Sequence, residues 1–189
     1  MRVELMAGQY LDVLEQALAT SSVDRSLRIA RYKSGKYTVE RPLHFGAVIA
    51  GADKPTLELL SQYGLPLGEA FQLRDDILGV FGDPSETGKP AGDDLREGKR
   101  TVLIAHAVAK ATPTQSTEIR KYLGDPHLSP EGVHILREII RDTGALDAVE
   151  MIIEAGLAQS IAAISSADLN VEAVSVLQDL AVAATRRVV

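Results

Sequence analysis

The stretch FQLRDDILG, Phe71 to Gly79, places one amide and two adjacent carboxylates within a few helical turns. Asp75 lies three residues after Gln72 and Asp76 four, and residues at those spacings share one face of a helix. Carboxylates gathered in this way can hold a hard cation through oxygen. Magnesium suits them, because it binds few protein carboxylates and completes its shell with water and substrate phosphate. The loop that follows carries Lys89 and Lys99, whose ammonium groups can neutralise phosphate oxygens that a metal leaves uncovered. Lys33 can supply a third. Adjacent acids on a helix and lysines in a loop are also the makings of an ordinary solvated face, and spacing alone does not choose between the two readings.

A nucleotide P-loop is the other chemistry that this region suggests, since Gly82 is followed by Gly88-Lys89. The spacing excludes it. Five residues in place of four separate the two glycines, Pro90 stands where a magnesium-binding Ser or Thr belongs, and a helix precedes the loop where a strand is required. His44, His106, His127 and His134 have no ligand spacing and read as surface or satisfied side chains.

The elements that must position these residues are helical. The chain of 189 residues is 46% hydrophobic and only 4% aromatic, with no Pro/Gly/Ser linker, which predicts one all-α domain over residues 1–189. Val3, Met6, Ala7, Tyr10, Leu11, Val13, Leu14, Ala17 and Leu18 recur at helical spacing, yet no capping residue precedes them, as if the chain began mid-helix. A second helix is expected from Ser21 or Ser22, stopped at Gly35 by a positive φ. A third is expected from Arg41 to Ala50, and a fourth from Thr56 to Val80, kinked near Gly64 and Pro66. Asp94 reads as the N-cap of a helix running through DLREGKRTVLIAHAVAKA. Three further helices are expected near Glu131–Arg141, Ala145–Ser165 and Val171–Arg187, with no strand pattern and no internal repeat.

The absence of cysteine excludes disulfides, zinc-thiolate sites and thiol nucleophiles, and makes the cytoplasm the natural compartment. A formal net charge of −6 without a basic stripe argues against nucleic acid as a partner. The opening residues carry acids within their apolar spacing, so neither a signal peptide nor a membrane span is expected.

Taken whole, FQLRDDILGVFGDPSETGKPAGDDLREGKRT resembles the second aspartate-rich region of the trans-isoprenyl diphosphate synthases, the polyprenyl synthetase family. GQYLD near the start, YKSGKYT at Tyr32 to Thr38 and LSQYGLPLGEAFQLRDD resemble further family segments in family order. The resemblance implies an isoprenoid-synthase-like helical bundle and a prenyltransferase of geranylgeranyl or farnesyl diphosphate synthase type. Such an enzyme joins an allylic diphosphate to isopentenyl diphosphate with the help of magnesium. By the same resemblance Asp75 ligates Mg2+ and Asp76 supports the ion and its waters, while Lys33, Lys89 and Lys99 hold the allylic diphosphate. Gln72 and Ser34 match positions beside the reacting carbon, where an amide and a helix-end carbonyl can stabilise developing positive charge.

Two departures from the family pattern matter. The pattern D-D-x-x-D ends here in Gly79, so one carboxylate is missing, and Gly79 costs the helix about 1 kcal/mol relative to Ala. Asp83 is expected beyond the helix end. The family's earlier aspartate-rich motif and its isopentenyl diphosphate ligands have no counterpart, so the resemblance covers the C-terminal half to two-thirds of a synthase, truncated on the N-terminal side. Two functions are therefore expected as alternatives. One is a prenyltransferase completed by further chain or another polypeptide; the other is a non-catalytic subunit or degenerate homologue that binds a partner chain and retains at most a diphosphate site. Apolar surface bared on the early helices is expected to make the chain a homo-oligomer or a complementing subunit.

Overall fold

The periodicities are realised as helices throughout. The computed structural model describes residues 1–88, 90, 92–165 and 169–187, among which there is no strand. The helices are α1 (Arg2–Ala17), α2 (Val23–Ala30), a π-helical segment (Arg31–Glu40), α3 (Arg41–Ile49), α4 (Lys54–Phe81), α5 (Pro84–Thr87) and α6 (Asp93–Arg96). They are followed by α7 (Val102–Lys110), α8 (Pro113–Tyr122), α9 (Pro130–Asp142), α10 (Ala145–Ser165) and α11 (Val171–Thr185). α4 continues through Pro66 as one element of 28 residues. The described residues fall into two compact units.

The first unit comprises Met1–Tyr10, Arg28–Arg74 and Met151–Arg187. Its core gathers Tyr63 and Leu67 of α4, Leu157 and Ile164 of α10 and Ala181 of α11, with Val39, Leu43 and Leu177 packed against them. The Tyr63 hydroxyl donates to the Leu177 carbonyl at 2.7 Å, which satisfies a buried polar tip, and burial pushes its pKa up to about 12. Arg74, also buried, donates Nε–H to the Thr185 carbonyl at 2.7 Å. α11 is thus held by two side chains of α4 as well as by apolar contact.

The π-helical segment corrects one expectation. Gly35 does not stop a helix; it is buried inside a continuous run from Val23 to Ile49, without a positive φ. Its glycine serves a close approach instead. A Cβ placed on Gly68 of α4 would lie 2.5 Å from the Gly35 Cα and 2.8 Å from the Ser34 carbonyl oxygen. Two backbones meet there with no side chain between them. At the other edge of this unit Arg41 donates to both carboxylate oxygens of Glu4, at 3.0 and 2.6 Å, and that guanidinium holds the Glu4 pKa down at about 2 against the opposing effect of burial.

α1 also differs from the simple amphipathic reading. Within this unit Val3, Met6 and Tyr10 are 79%, 70% and 66% exposed, and Gly8 is the buried position, its missing Cβ leaving room for Tyr32. Phe45, Val48 and Ile49 of α3 are likewise exposed. The apolar positions have the predicted period but point outward.

The second unit comprises Leu11–Leu27 and Asp75–Glu150 among the described residues. α9 packs on α7 and α8, with Leu103, Leu136 and Ile140 fully buried. α8 escapes a hydrophobic-period reading because it is mostly polar, but its start was written in the sequence. Thr112 and Gln115 form a capping box, with Gln115 N–H donating to Thr112 Oγ1 at 3.3 Å and Thr112 N–H to Gln115 Oε1 at 3.0 Å. Glu15 is buried because Thr20 and Arg25 donate to its two oxygens at 2.6 and 3.1 Å.

α10 qualifies the expectation that no segment reaches membrane length. With 21 residues and a mean hydropathy of 1.4 it is long and apolar enough to cross a bilayer by length and composition. Ala145, Val149, Ile153, Leu157, Ser160 and Ile164 are its buried positions, at three- and four-residue spacing, while Asp147 and Glu154 lie on its exposed side. A stripe of this kind belongs to a helix that packs on its neighbours.

Candidate functional site

In the first unit the residues that matter are set by the backbone contact just described. Because Gly68 lets α4 approach the π-helical segment, Ser34 is buried and its Oγ–H donates to Gln72 Oε1 at 2.5 Å. Ser34 is therefore not a helix cap but a partner that fixes the orientation of the Gln72 amide. π-helical turns are rare and recur at functional sites, since they displace carbonyls from the regular ladder. Lys33 precedes Ser34 in this segment and is partly buried.

In the second unit α4 contributes its last turns. Asp76 is buried and Asp75 partly so, and the fully buried Ile77 and Val80 mark the inward face of these turns. Asp83 lies beyond the helix end, as expected, and serves as the N-cap of α5, accepting from Ser85 N–H and Oγ–H at 2.7 Å each. These bonds hold its carboxyl below the usual carboxylate range.

Asp94 behaves otherwise than a cap. The N-cap of α6 is Gly92, with no side-chain cap bond, and α7 is capped separately by Thr101, whose Oγ1 accepts from Ile104 N–H at 3.3 Å. The single helix expected from Asp94 onward is thus two, broken at Gly98, where φ is +71°. A Cβ on Gly98 would also lie 2.9 Å from the Gly124 Cα, so both the turn and the packing need glycine there. The reversal brings Lys99 back: its N–H donates to the Asp94 carbonyl at 3.1 Å and its Nζ pairs with Asp94 Oδ1 and, at 3.2 Å, with Glu97. Burial lowers the Lys99 pKa, but the hydrogen bond and charge of Asp94, reinforced by Glu97, outweigh it and raise the pKa above its ordinary value. Lys89 lies outside the described residues.

The structure therefore brings Ser34 together with Gln72, and Lys99 together with Asp94. The sequence reading gave Asp94 only an N-cap role, and no local pattern announces its burial. It also misjudged His106, whose Nε2 is buried with no hydrogen-bond partner among the described residues and whose pKa is lowered, first by burial and then by Lys110. His44 is satisfied, with Ser61 and the Leu57 carbonyl each 3.0 Å from Nε2.

Among the described residues no group of three His, Asp or Glu side chains forms a metal cage. The adjacent Asp75 and Asp76 carboxylates fit a different arrangement. Magnesium takes one or two protein carboxylates and leaves its other positions to water and phosphate oxygens.

Residues 1–140 match the family model of the polyprenyl synthetases. The chain belongs to that family. Among curated polyprenyl synthetases it is 40% identical over 148 residues to the geranylfarnesyl diphosphate synthase of Aeropyrum pernix, an alignment covering 78% of this chain and 45% of that protein. It is 29% identical over 165 residues to a geranylgeranyl diphosphate synthase of Mycobacterium tuberculosis, covering 87% of this chain and 47% of that one. The chain spans about half the length of these curated relatives. The crystal structure of geranylgeranyl pyrophosphate synthase from Corynebacterium glutamicum, complexed with isoprenyl diphosphate and magnesium, superposes with a TM-score of 0.96 at 44% identity. That alignment covers 100% of this chain and 53% of the other. The fold is the all-α isoprenyl diphosphate synthase fold.

Proposed function

We propose that this chain carries the magnesium- and diphosphate-binding portion of a trans-prenyltransferase of geranylgeranyl or farnesyl diphosphate synthase type. The observation that carries the reading is the adjacent carboxylate pair Asp75–Asp76 on α4, within a segment that matches the polyprenyl synthetases. In the reaction a carbon–carbon bond forms between an allylic diphosphate and isopentenyl diphosphate, inorganic diphosphate leaves, and a proton is lost.

Asp75 and Asp76 would hold Mg2+, which when bound supplies positive charge to the leaving diphosphate. Lys33, Lys89 and Lys99 neutralise the remaining phosphate oxygens. Gln72, its amide oriented by Ser34, presents its dipole to the charge that develops at the allylic carbon. Residues 1–189 work as one domain in this reading, and the absence of cysteine supports a cytoplasmic setting.

The test is product formation by the 189-residue chain supplied with magnesium, isopentenyl diphosphate and an allylic diphosphate, with Asp75→Ala as its control. Turnover that the substitution abolishes shows that this chain assembles a working site; no turnover confines the enzyme reading to a longer chain or a complex. Turnover that survives it removes Asp75 from the metal site.

A second reading, a non-catalytic or complementing subunit, is favoured by one observation: the exposed apolar row Val3, Met6 and Tyr10 on α1. Sedimentation at rising concentration is expected to show self-association through this row, diminished by Met6→Lys. A clean monomer throughout sinks that expectation. Turnover restored by a polypeptide carrying the family's earlier aspartate-rich motif would return the chain to the enzyme reading; no turnover even then would make the non-catalytic description the right one.

A further inference from the structure

Position 79, where the family pattern places its third carboxylate, is not simply vacant. A Cβ built on Gly79 would lie 2.2 Å from Asp94 Oδ2 and 2.5 Å from its Cγ. The Asp94 side chain already fills the space that any side chain on this turn of α4 would enter. Its other oxygen, Oδ1, takes the Lys99 ammonium. Asp94 is thus clamped between the bare backbone of Gly79 and Lys99, and it is only 5% exposed.

The environment does not favour a carboxylate on its own account. Gly79 lies two residues before the C-terminal end of α4, where the helix dipole repels negative charge, and Asp75 and Asp76 stand on the preceding turn. Burying an acid at such a place is costly unless a cation neutralises it. Lys99 is that cation, and capping does not account for Asp94, because Gly92 holds the N-cap position.

We propose that in this chain Asp94 is a positioning residue for Lys99 and that Gly79 is the seat it requires, so that a side chain at position 79 displaces the carboxylate that holds Lys99 here. One oxygen of Asp94 rests on α4 and the other fixes the ammonium, which, with Glu97 on a second N–H, keeps its third donor for phosphate. The inference rests on the role assigned to Lys99 under the proposed function. It reverses the obvious repair: Gly79→Asp, which restores the family motif on paper, displaces Asp94 and weakens diphosphate binding.

Two measurements on the full chain decide it. Calorimetric titration with inorganic diphosphate and magnesium is expected to show binding about tenfold weaker for Gly79→Ala, Gly79→Asp and Asp94→Asn, the strength of one charge-assisted contact. The alkaline limit of binding is expected to move to lower pH in Asp94→Asn, since Lys99 loses the stronger of its two carboxylate partners and keeps only Glu97; a merely structural lesion would leave that limit in place. Acetylation of Lys99, followed by mass spectrometry with the exposed Lys110 as internal reference, reads the clamp without any ligand. It is expected to accelerate several-fold in Gly79→Ala and Asp94→Asn, and to accelerate no further in the double variant, because both changes break the same clamp. Melting curves identify any variant that is unfolded, and the remaining one then decides. If the wild-type chain binds no diphosphate, the proposed function falls while the acetylation rates still judge the clamp. Unchanged acetylation in both folded variants, or wild-type affinity in Gly79→Asp, overturns the proposal.

Discussion

Gly68→Ala is expected to lower stability by about 1–3 kcal/mol, the cost of forcing an extra methyl group into a packed interior. The new Cβ would sit 2.5 Å from the Gly35 Cα, 2.8 Å from the Ser34 oxygen and 2.9 Å from the Gly35 nitrogen. All three neighbours are backbone atoms and cannot rotate away, so two helices must separate. Alanine's better helix propensity opposes this by about 1 kcal/mol, which the displacement of whole elements exceeds. The same separation stretches the 2.5 Å bond between Ser34 and Gln72, so the amide loses its orientation as well. Gly46→Ala is the control: nothing lies within 4 Å of its Cβ, and it is expected to stabilise by up to about 1 kcal/mol. Urea midpoints measure both, and a Gly68→Ala midpoint at or above that of the wild type refutes the backbone-contact argument.

Leu73→Ala is expected to cost more, about 2–5 kcal/mol, because Leu73 is fully buried and the site cannot collapse around the cavity without moving α4. Leu73 lies between Gln72 and Asp75 in sequence but is turned inward, whereas both of those are only partly buried. The prediction therefore has two parts. Denaturant unfolding should register the full loss, while molecules that remain folded should bind diphosphate and magnesium as the wild type does. A variant that kept its stability would show that this face of α4 is not the packed one.

The contrast between Leu73 and its neighbours shows where the sequence was legible. Helical periodicity located α4, α9, α10 and α11 to within a few residues, since long apolar stripes at that spacing have few other interpretations. It failed at α8, which is mostly polar and declares itself only through the Thr112–Gln115 cap. Gly35 was misread for a different reason. A glycine needed for positive φ and one needed for close approach look identical in a sequence, and only the position of Gly68 across the contact separates the two. Asp94 was misread similarly, because the stretch before α7 suits an N-cap and nothing local reveals that Gly79, fifteen residues earlier, leaves a space for its carboxylate. The carboxylate pair and Gln72 were singled out by spacing and Ser34 only by resemblance, and their roles stand as proposals; the hydrogen bond that joins Ser34 to Gln72 was not legible, since it links residues 38 apart.

The anchoring of α11 bears on how the protein is made. Tyr63 and Arg74 reach carbonyls 114 and 111 residues further along the chain, at Leu177 and Thr185. At ribosomal speeds of about 5–20 residues per second, those acceptors are synthesised roughly 5 to 25 seconds after their donors. Throughout that interval the Tyr63 hydroxyl and the Arg74 Nε–H lack the carbonyls that they donate to in the folded unit, and the face of α4 that α11 covers is not yet covered by it. Completion of the first unit therefore waits for the synthesis of α11, more than a hundred residues after the side chains that anchor it.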